Sequence, residues 1–131
     1  MSQTVKVKAG ELSGVALDWA VDAAETGDPM RVEYKKDGSG VWMLFDKHNM
    51  YAPNGPQKYS TDWKLAGPII ARERMSFSDC IDCFAAASKK ARTMYGPTHL
   101  IAAMRCYVAA KLGDEIEVPA ELVRSEGVDH V

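Results

Sequence analysis

The chain has no uninterrupted run of about 18 apolar residues, the length a membrane-spanning helix requires, so no bilayer span is expected. Cysteine is scarce, with only Cys80, Cys83 and Cys106 in 131 residues. A sparse, odd-numbered set is not the dense, even framework of a disulfide-stapled secreted domain. Reduced thiols in a cytosol are the expectation. Positive charge is not in excess either: 16 Lys and Arg face 18 Asp and Glu, for a formal net charge of −2. That balance argues against the broad positive field on which non-specific nucleic-acid binding depends. The opening residues, Met-Ser-Gln-Thr-Val-Lys, lack the apolar core of a secretory leader, so a cytoplasmic location is expected.

Signature motifs are missing as well. Neither Gly38-Ser39-Gly40 nor Gly96-Pro97-Thr98 belongs to a phosphate-binding loop of the Walker or dinucleotide type, because the required glycine spacing and lysine are absent. His48, His99 and His130 are scattered, so no Ser/His/Asp or Cys/His order can be built on them. Cys80 and Cys83 form a Cys-x-x-Cys pair. A structural zinc site needs two more ligands at local spacing, and the plainer reading is two small apolar residues on a packed surface. Asp79, Asp82, Asp114, Glu115 and Glu117 give no pair that spans a site. No metal, cofactor or catalytic motif is therefore expected.

What is present is an ordinary globular composition, 47% hydrophobic and 26% charged, in a length typical of one domain. Such a chain buries roughly two-thirds of its unfolded surface. Thr4–Lys8 alternates as a half-buried strand. Leu12, Ala16, Trp19, Ala20 and Ala23 fall at helical spacing, predicting a helix over about 12–25 that Gly27 and Asp28-Pro29 terminate. Met30–Tyr34 and Val41–Phe45 flank Asp37-Gly38, a hairpin signature. Residues 47–60 hold Pro53, Asn54-Gly55 and Pro56, which predicts a loop. After Gly67-Pro68, residues 69–72 read as extended, and 75–87 as a hairpin rather than a short helix. A basic cluster, Lys89, Lys90 and Arg92, precedes Tyr95-Gly96. Thr98 is a suitable N-cap for a strongly apolar helix over about 98–112, its hydroxyl free to accept from the first turn. Residues 116–119 read as a short edge strand, Pro119 as the opening of a last helical turn, and 124–131 as a frayed tail. The expected fold is α+β, a small antiparallel sheet with hairpins packed against two main helices in a single domain over 1–131.

The richest polar and aromatic stretch is Tyr51 with Tyr59-Ser60-Thr61-Asp62-Trp63. Aromatic rings stack on planar heterocycles, and hydroxyls with a carboxylate orient polar edges, as in small-molecule pockets. The plainer alternative is that Ser60, Thr61 and Asp62 cap a turn while Trp63 anchors the core. Arg72 and Arg105 suit a phosphate fork. Arg105, inside the apolar helix, could equally snorkel or pair with Asp62 or Glu73. Gly96-Pro97-Thr98 feeds a helix start, where free N–H groups favour an anion.

Three segments carry a family likeness: Glu11-Leu12-Ser13-Gly14 with Ala16-Leu17-Asp18-Trp19-Ala20-Val21; Ser60-Thr61-Asp62-Trp63 with Gly67-Pro68-Ile69-Ile70 and Arg72-Glu73; and Gly96-Pro97-Thr98 with the run Leu100-Ile101-Ala102-Ala103-Met104-Arg105-Cys106-Tyr107-Val108-Ala109 and Lys111-Leu112-Gly113-Asp114-Glu115. Together, over about residues 4–123, they resemble the NinX-like family of small phage accessory proteins. The Cys80/Cys83 pair is not part of the likeness. The resemblance implies action in the bacterial host cytoplasm and, by analogy of class, a counter-defence role.

The leading expectation is a non-enzymatic homo-oligomer that binds and sequesters a nucleotide-derived immune signal, of the cyclic ADP-ribose or cyclic oligonucleotide kind. Trp63 or Tyr51 would stack on the base and Asp62, with Ser60 and Thr61, would contact the polar edges. Arg72, Arg105 and Thr98 would hold phosphate. The second reading is an interaction protein that inhibits a host or phage protein through the hairpin tip at 35–40. The third is a small enzyme degrading the signal, with Asp62, Glu73 or His99 as the base.

Overall fold

The computed structural model describes residues 4–38, 41–45, 50–52, 55–79, 83–89 and 91–126. Within them the chain is α+β, with four helices and small antiparallel sheets. The first strand, β1 (Thr4–Lys8), pairs antiparallel with the last, β8 (Glu115–Pro119), so that Val7 faces Ile116 and Val5 faces Val118. β1 buries Val7 and leaves Lys6 and Lys8 in water, but Val5, on the same face as Val7 by alternation, is exposed.

A single 3-10 turn, Ala9–Glu11, leads into α1 (Gly14–Thr26). Leu12 is fully buried but stands just before this helix. The helix ends where Gly27 adopts φ +71° and its N–H bonds the Ala23 carbonyl at 2.9 Å, a left-handed cap that glycine takes without steric cost. Trp19 is packed inside and donates its indole N–H to the Met30 carbonyl at 2.8 Å, which ties α1 to β2 (Met30–Tyr34). That strand pairs with β3 (Val41–Phe45) across the Asp37-Gly38 turn, as the hairpin signature requires. The loop expected at 47–60 contains one short strand, β4 (Met50–Tyr51), added to β3.

The segment 69–72, expected as extended, is helical: α2 runs Trp63–Arg72 with Pro68 inside it. Two effects outweigh the proline. The Asp62 carboxylate caps the first turn, accepting the Lys64 N–H at 2.9 Å. Ala66 and Ile69 are buried, with Leu65 and Ile70 packed beside them, an i, i+3, i+4 stripe that pays back only in a helix. The carbonyl that Pro68 deprives of a helical partner belongs to exposed Lys64.

The hairpin at 75–87 is present as β5 (Ser76–Asp79) and β6 (Phe84–Ser88), and 91–96, unassigned by periodicity, adds β7 (Ala91–Gly96). Cys83, at the turn before β6, is disulfide-bonded, which corrects the expectation of reduced thiols there; Cys106 is free and buried. Cys80 lies outside the described residues, as do His48 and His130. Pro119 ends β8 opposite Thr4, and α4 (Ala120–Glu126) begins one residue later and continues past the point where fraying was expected.

Helix α3 (His99–Leu112) sits at the centre. Thr98 caps it as expected, accepting the Ile101 N–H at 3.1 Å. Leu100, Ala102, Ala103, Met104, Cys106, Tyr107 and Val108 are all buried. These positions take up roughly two-thirds of the helix circumference rather than one stripe, and α1, α2, β6, β7 and β8 cover its sides. Where β7 meets α3, a Cβ on Gly96 would lie 2.8 Å from the Ala102 nitrogen and 2.9 Å from Ile101 Cγ2. Gly96→Ala is therefore expected to push strand from helix and destabilise the domain by about 1–3 kcal/mol, the usual cost of overpacking. Urea denaturation followed by tryptophan fluorescence measures this, and an unchanged midpoint would contradict the close approach.

Candidate functional site

Helix α1 carries three acids, Asp18, Asp22 and Glu25, on one flank at helical spacing. Each has a structural partner. The Asp18 carboxylate, inside the core, accepts the Ser60 N–H at 2.8 Å, and Asp22 accepts the Gln57 N–H at 3.4 Å. Burial raises the Asp22 carboxyl above its ordinary value against that hydrogen bond, and neighbouring Glu25 raises it further. Between these anchors Tyr59 is packed against the core, and burial with the nearby carboxylates pushes its phenol up to about 12. The loop ahead of α2 is thus pinned to α1 by backbone hydrogen bonds.

Pinning this loop sets Ser60, Thr61 and Trp63 beside the start of α3. Together with Phe84, Thr98 and His99 they line a cleft of about 350 Å³, to which Leu100 and Ile101 supply further apolar wall. His99 stacks against Phe84 with ring centres 4.0 Å apart and meets Phe77 edge-on at 5.4 Å. Trp63 is 55% exposed, an unusual setting for so large an apolar ring. Ser60 is 4% exposed, yet its hydroxyl bonds no described residue. A larger depression, about 730 Å³, is lined by Lys8, Gly10, Glu11, Met94, Asp114 and Glu115. Among the described residues it has no aromatic wall. The smaller cleft is the better candidate, because aromatic side chains and the hydroxyl-bearing Ser60 and Thr61 line it together.

Of the residues singled out in the sequence, Ser60, Thr61, Trp63 and Thr98 come together in this cleft. Asp62 adjoins it but is engaged as the cap of α2, the plainer of its two readings. Tyr51 stands in β4 opposite Leu44, and its side chain is outside the described part of the structure. The two arginines are elsewhere. Arg105 donates from Nε to the Leu12 carbonyl and from Nη1 to the Tyr95 carbonyl, both at 2.7 Å, so it clamps α3 to the chain before α1 and to β7. Burial lowers its pKa, with Glu11 opposing. Arg72 pairs with Glu25 at 2.6 Å and Glu73 at 3.3 Å, and donates to the Tyr107 hydroxyl at 3.2 Å.

That second network joins three helices, since the Tyr107 hydroxyl of α3 also donates to Glu25 of α1. Burial opposes ionisation of Glu25, but the hydrogen bonds from Arg72 and Tyr107 and the charges of Arg72 and Lys111 outweigh it, so its carboxyl lies below the ordinary 4.5. Phe84, Phe77 and Asp18 were not marked as site residues in the sequence. For the phenylalanines no local signal exists, because only the hairpin register brings them to His99. Asp18 was readable as an acid within an apolar helix stripe.

Chemically, the cleft offers aromatic surface and hydroxyls. Among the described residues, no group of three or more His, Cys, Asp or Glu could hold a metal ion. Asp18→Ala leaves the Ser60 N–H buried without its acceptor and is expected to cost about 1–3 kcal/mol, read as a lowered melting temperature together with increased proteolysis at 57–61. For Glu25, a folded pKa below the unfolded value means stability fully present above about pH 4.5 and lost as pH falls through the folded value. Glu25→Gln should accordingly flatten the melting temperature against pH between pH 5 and pH 3 (roughly the window set by that linkage). A wild-type slope retained in the variant would remove Glu25 as its source.

No curated protein matches the chain significantly. The family described as Bacteriophage P22, NinX matches residues 8–111, which spans α1, α2, the two three-stranded sheets and nearly all of α3. No helix of the described residues is long and apolar enough to cross a membrane. With well over half of the chain matched, and the match taking in every residue of the cleft, the chain belongs to the NinX family of phage proteins.

Proposed function

We propose that this phage protein binds and sequesters a nucleotide-derived immune signal without chemical turnover, acting in the host cytoplasm. The observation that carries the reading is the cleft itself: the aromatic rings of Trp63, Phe84 and His99 line it together with Ser60 and Thr61. Stacking on such rings contributes about 1–3 kcal/mol per base and tolerates different bases. The lining hydroxyls of Ser60 and Thr61 add polar contacts to a base edge or a sugar. Thr98 is partly committed, since its hydroxyl caps α3.

Two features support binding rather than catalysis. Asp62 accepts a backbone N–H, and Glu73 is paired with Arg72 and Lys111, so the acids nearest the loop hold structure. His99 is held between Phe84 and Phe77. A homo-oligomer fits this reading because the cleft is open and small, and a neighbouring subunit would deepen it. The edge strand β5 is exposed at all four residues and so is available for pairing with a second copy.

A thermal-shift series with cyclic oligonucleotides and cyclic ADP-ribose derivatives tests the proposal. A ligand at a hundred times its dissociation constant adds about 2.7 kcal/mol of stability, and the same ligand should be recovered intact after denaturation. Trp63→Ala is expected to weaken binding by roughly tenfold or more, the equivalent of one lost stack. Release of a chemically altered ligand would sink sequestration in favour of catalysis.

A further inference from the structure

We infer that the cleft recognises the nucleoside portion of its ligand, a neutral heterocycle with its sugar, and leaves phosphate outside; this rests on the sequestration reading above. The first ground is the charge of the wall. None of the described residues lining the cleft is a lysine or an arginine. The two arginines suited to a phosphate fork are committed at other places, Arg105 to two backbone carbonyls and Arg72 to two carboxylates. Two carboxylates hold this stretch: Asp18 accepts the Ser60 N–H, and Asp62, which precedes Trp63, accepts the Lys64 N–H. Lys64, the nearest cation in sequence, is exposed on α2 and outside the lining. A phosphate entering this cleft would find no side-chain counter-charge, only the first-turn N–H groups of α3, one of which Thr98 already occupies.

The second ground is independent of charge. Ser60 is 4% exposed and lines the cleft, and no hydrogen bond of its hydroxyl is made to a described residue. A hydroxyl both donates and accepts, which matches the mixed donors and acceptors of a nucleobase edge or a ribose. Beside it the half-exposed Trp63 ring is apolar area that a flat heterocycle would cover. The cleft, about 350 Å³, is at the lower end of the usual range for small-molecule sites, roughly 300–1,000 Å³, so it suits one nucleoside rather than a whole dinucleotide.

Isothermal titration of the full chain with adenosine, guanosine, cytidine and uridine, their 5′-monophosphates, and inorganic phosphate decides the matter. The expected result is that at least one nucleoside binds, within about threefold of its own monophosphate, with little change between low and high salt because no phosphate contact is being screened. Inorganic phosphate should neither bind nor compete. Ser60→Ala should weaken nucleoside and monophosphate by the same factor, on the order of fivefold to tenfold for one hydrogen bond, while Lys64→Gln leaves both unchanged. A monophosphate that binds ten times tighter than its nucleoside, or displacement by inorganic phosphate, overturns the inference and leaves sequestration standing. Failure of every nucleoside and nucleotide to bind, cyclic ones included, overturns both.

Discussion

The organising constraint is a helix with almost no polar face. Seven residues of α3 are buried, and at about 3.6 residues per turn they take up roughly two-thirds of its circumference. Such a helix cannot lie on a surface; it must be covered from several sides, and the rest of the chain does so. β6 and β7 close one side, α1 another, α2 a third, with β8 and the turn at Ala9–Glu11 filling the gaps. Small residues set the distances. Ala102 and Ala103 let the strands come close, and Gly96 permits backbone-to-backbone approach at the helix start. The position of Thr98 and His99 relative to β6 follows from that approach.

Polar groups inside this envelope are used as fasteners. Asp18 and Asp22 hold the 57–60 loop to α1 through its backbone N–H groups. Glu25, Arg72 and Tyr107 join one residue from each of three helices in a single network. Since Arg72 is half exposed, the network acts more through geometry than through large Coulombic gain. The result is that the cleft is built on supported elements: α2 through its cap, α3 through its burial, the loop through two carboxylates. A ligand at so constrained a cleft would bind without the cleft having to order itself first.

Much of the fold was legible because its signals are local. The Asp37-Gly38 turn, the Gly27 cap and the Thr98 cap each involve a few consecutive residues, and all three stand where the pattern placed them. Residues 63–72 misled because a proline was weighed more heavily than the burial of Ala66 and Ile69 and the Asp62 cap. Strand β7 was hidden for the opposite reason, since it is defined by its partner β6 and not by an alternation of its own. Half of the site was visible as composition at 60–63. The other half, Phe84 and His99, depends on a hairpin register between β5, β6 and β7 that no local pattern encodes. The arginines failed as phosphate ligands because residue type alone does not reveal that a guanidinium is already spent on carbonyls.

The pairing of β1 with β8 has a mechanical consequence. Thr4 lies opposite Pro119 and Lys8 opposite Glu115, so the outer ends of the first and last strands leave the ribbon on the same side. Tension applied to both ends of the domain loads these rungs one after another, as a zip opens, rather than all together in shear. The β1–β8 seam thus resists such pulling one rung at a time, even though Val118 and Ile116 are buried in the core. An unfolding motor that seizes either end would meet this seam early, and removing β8 would uncover one flank of α3.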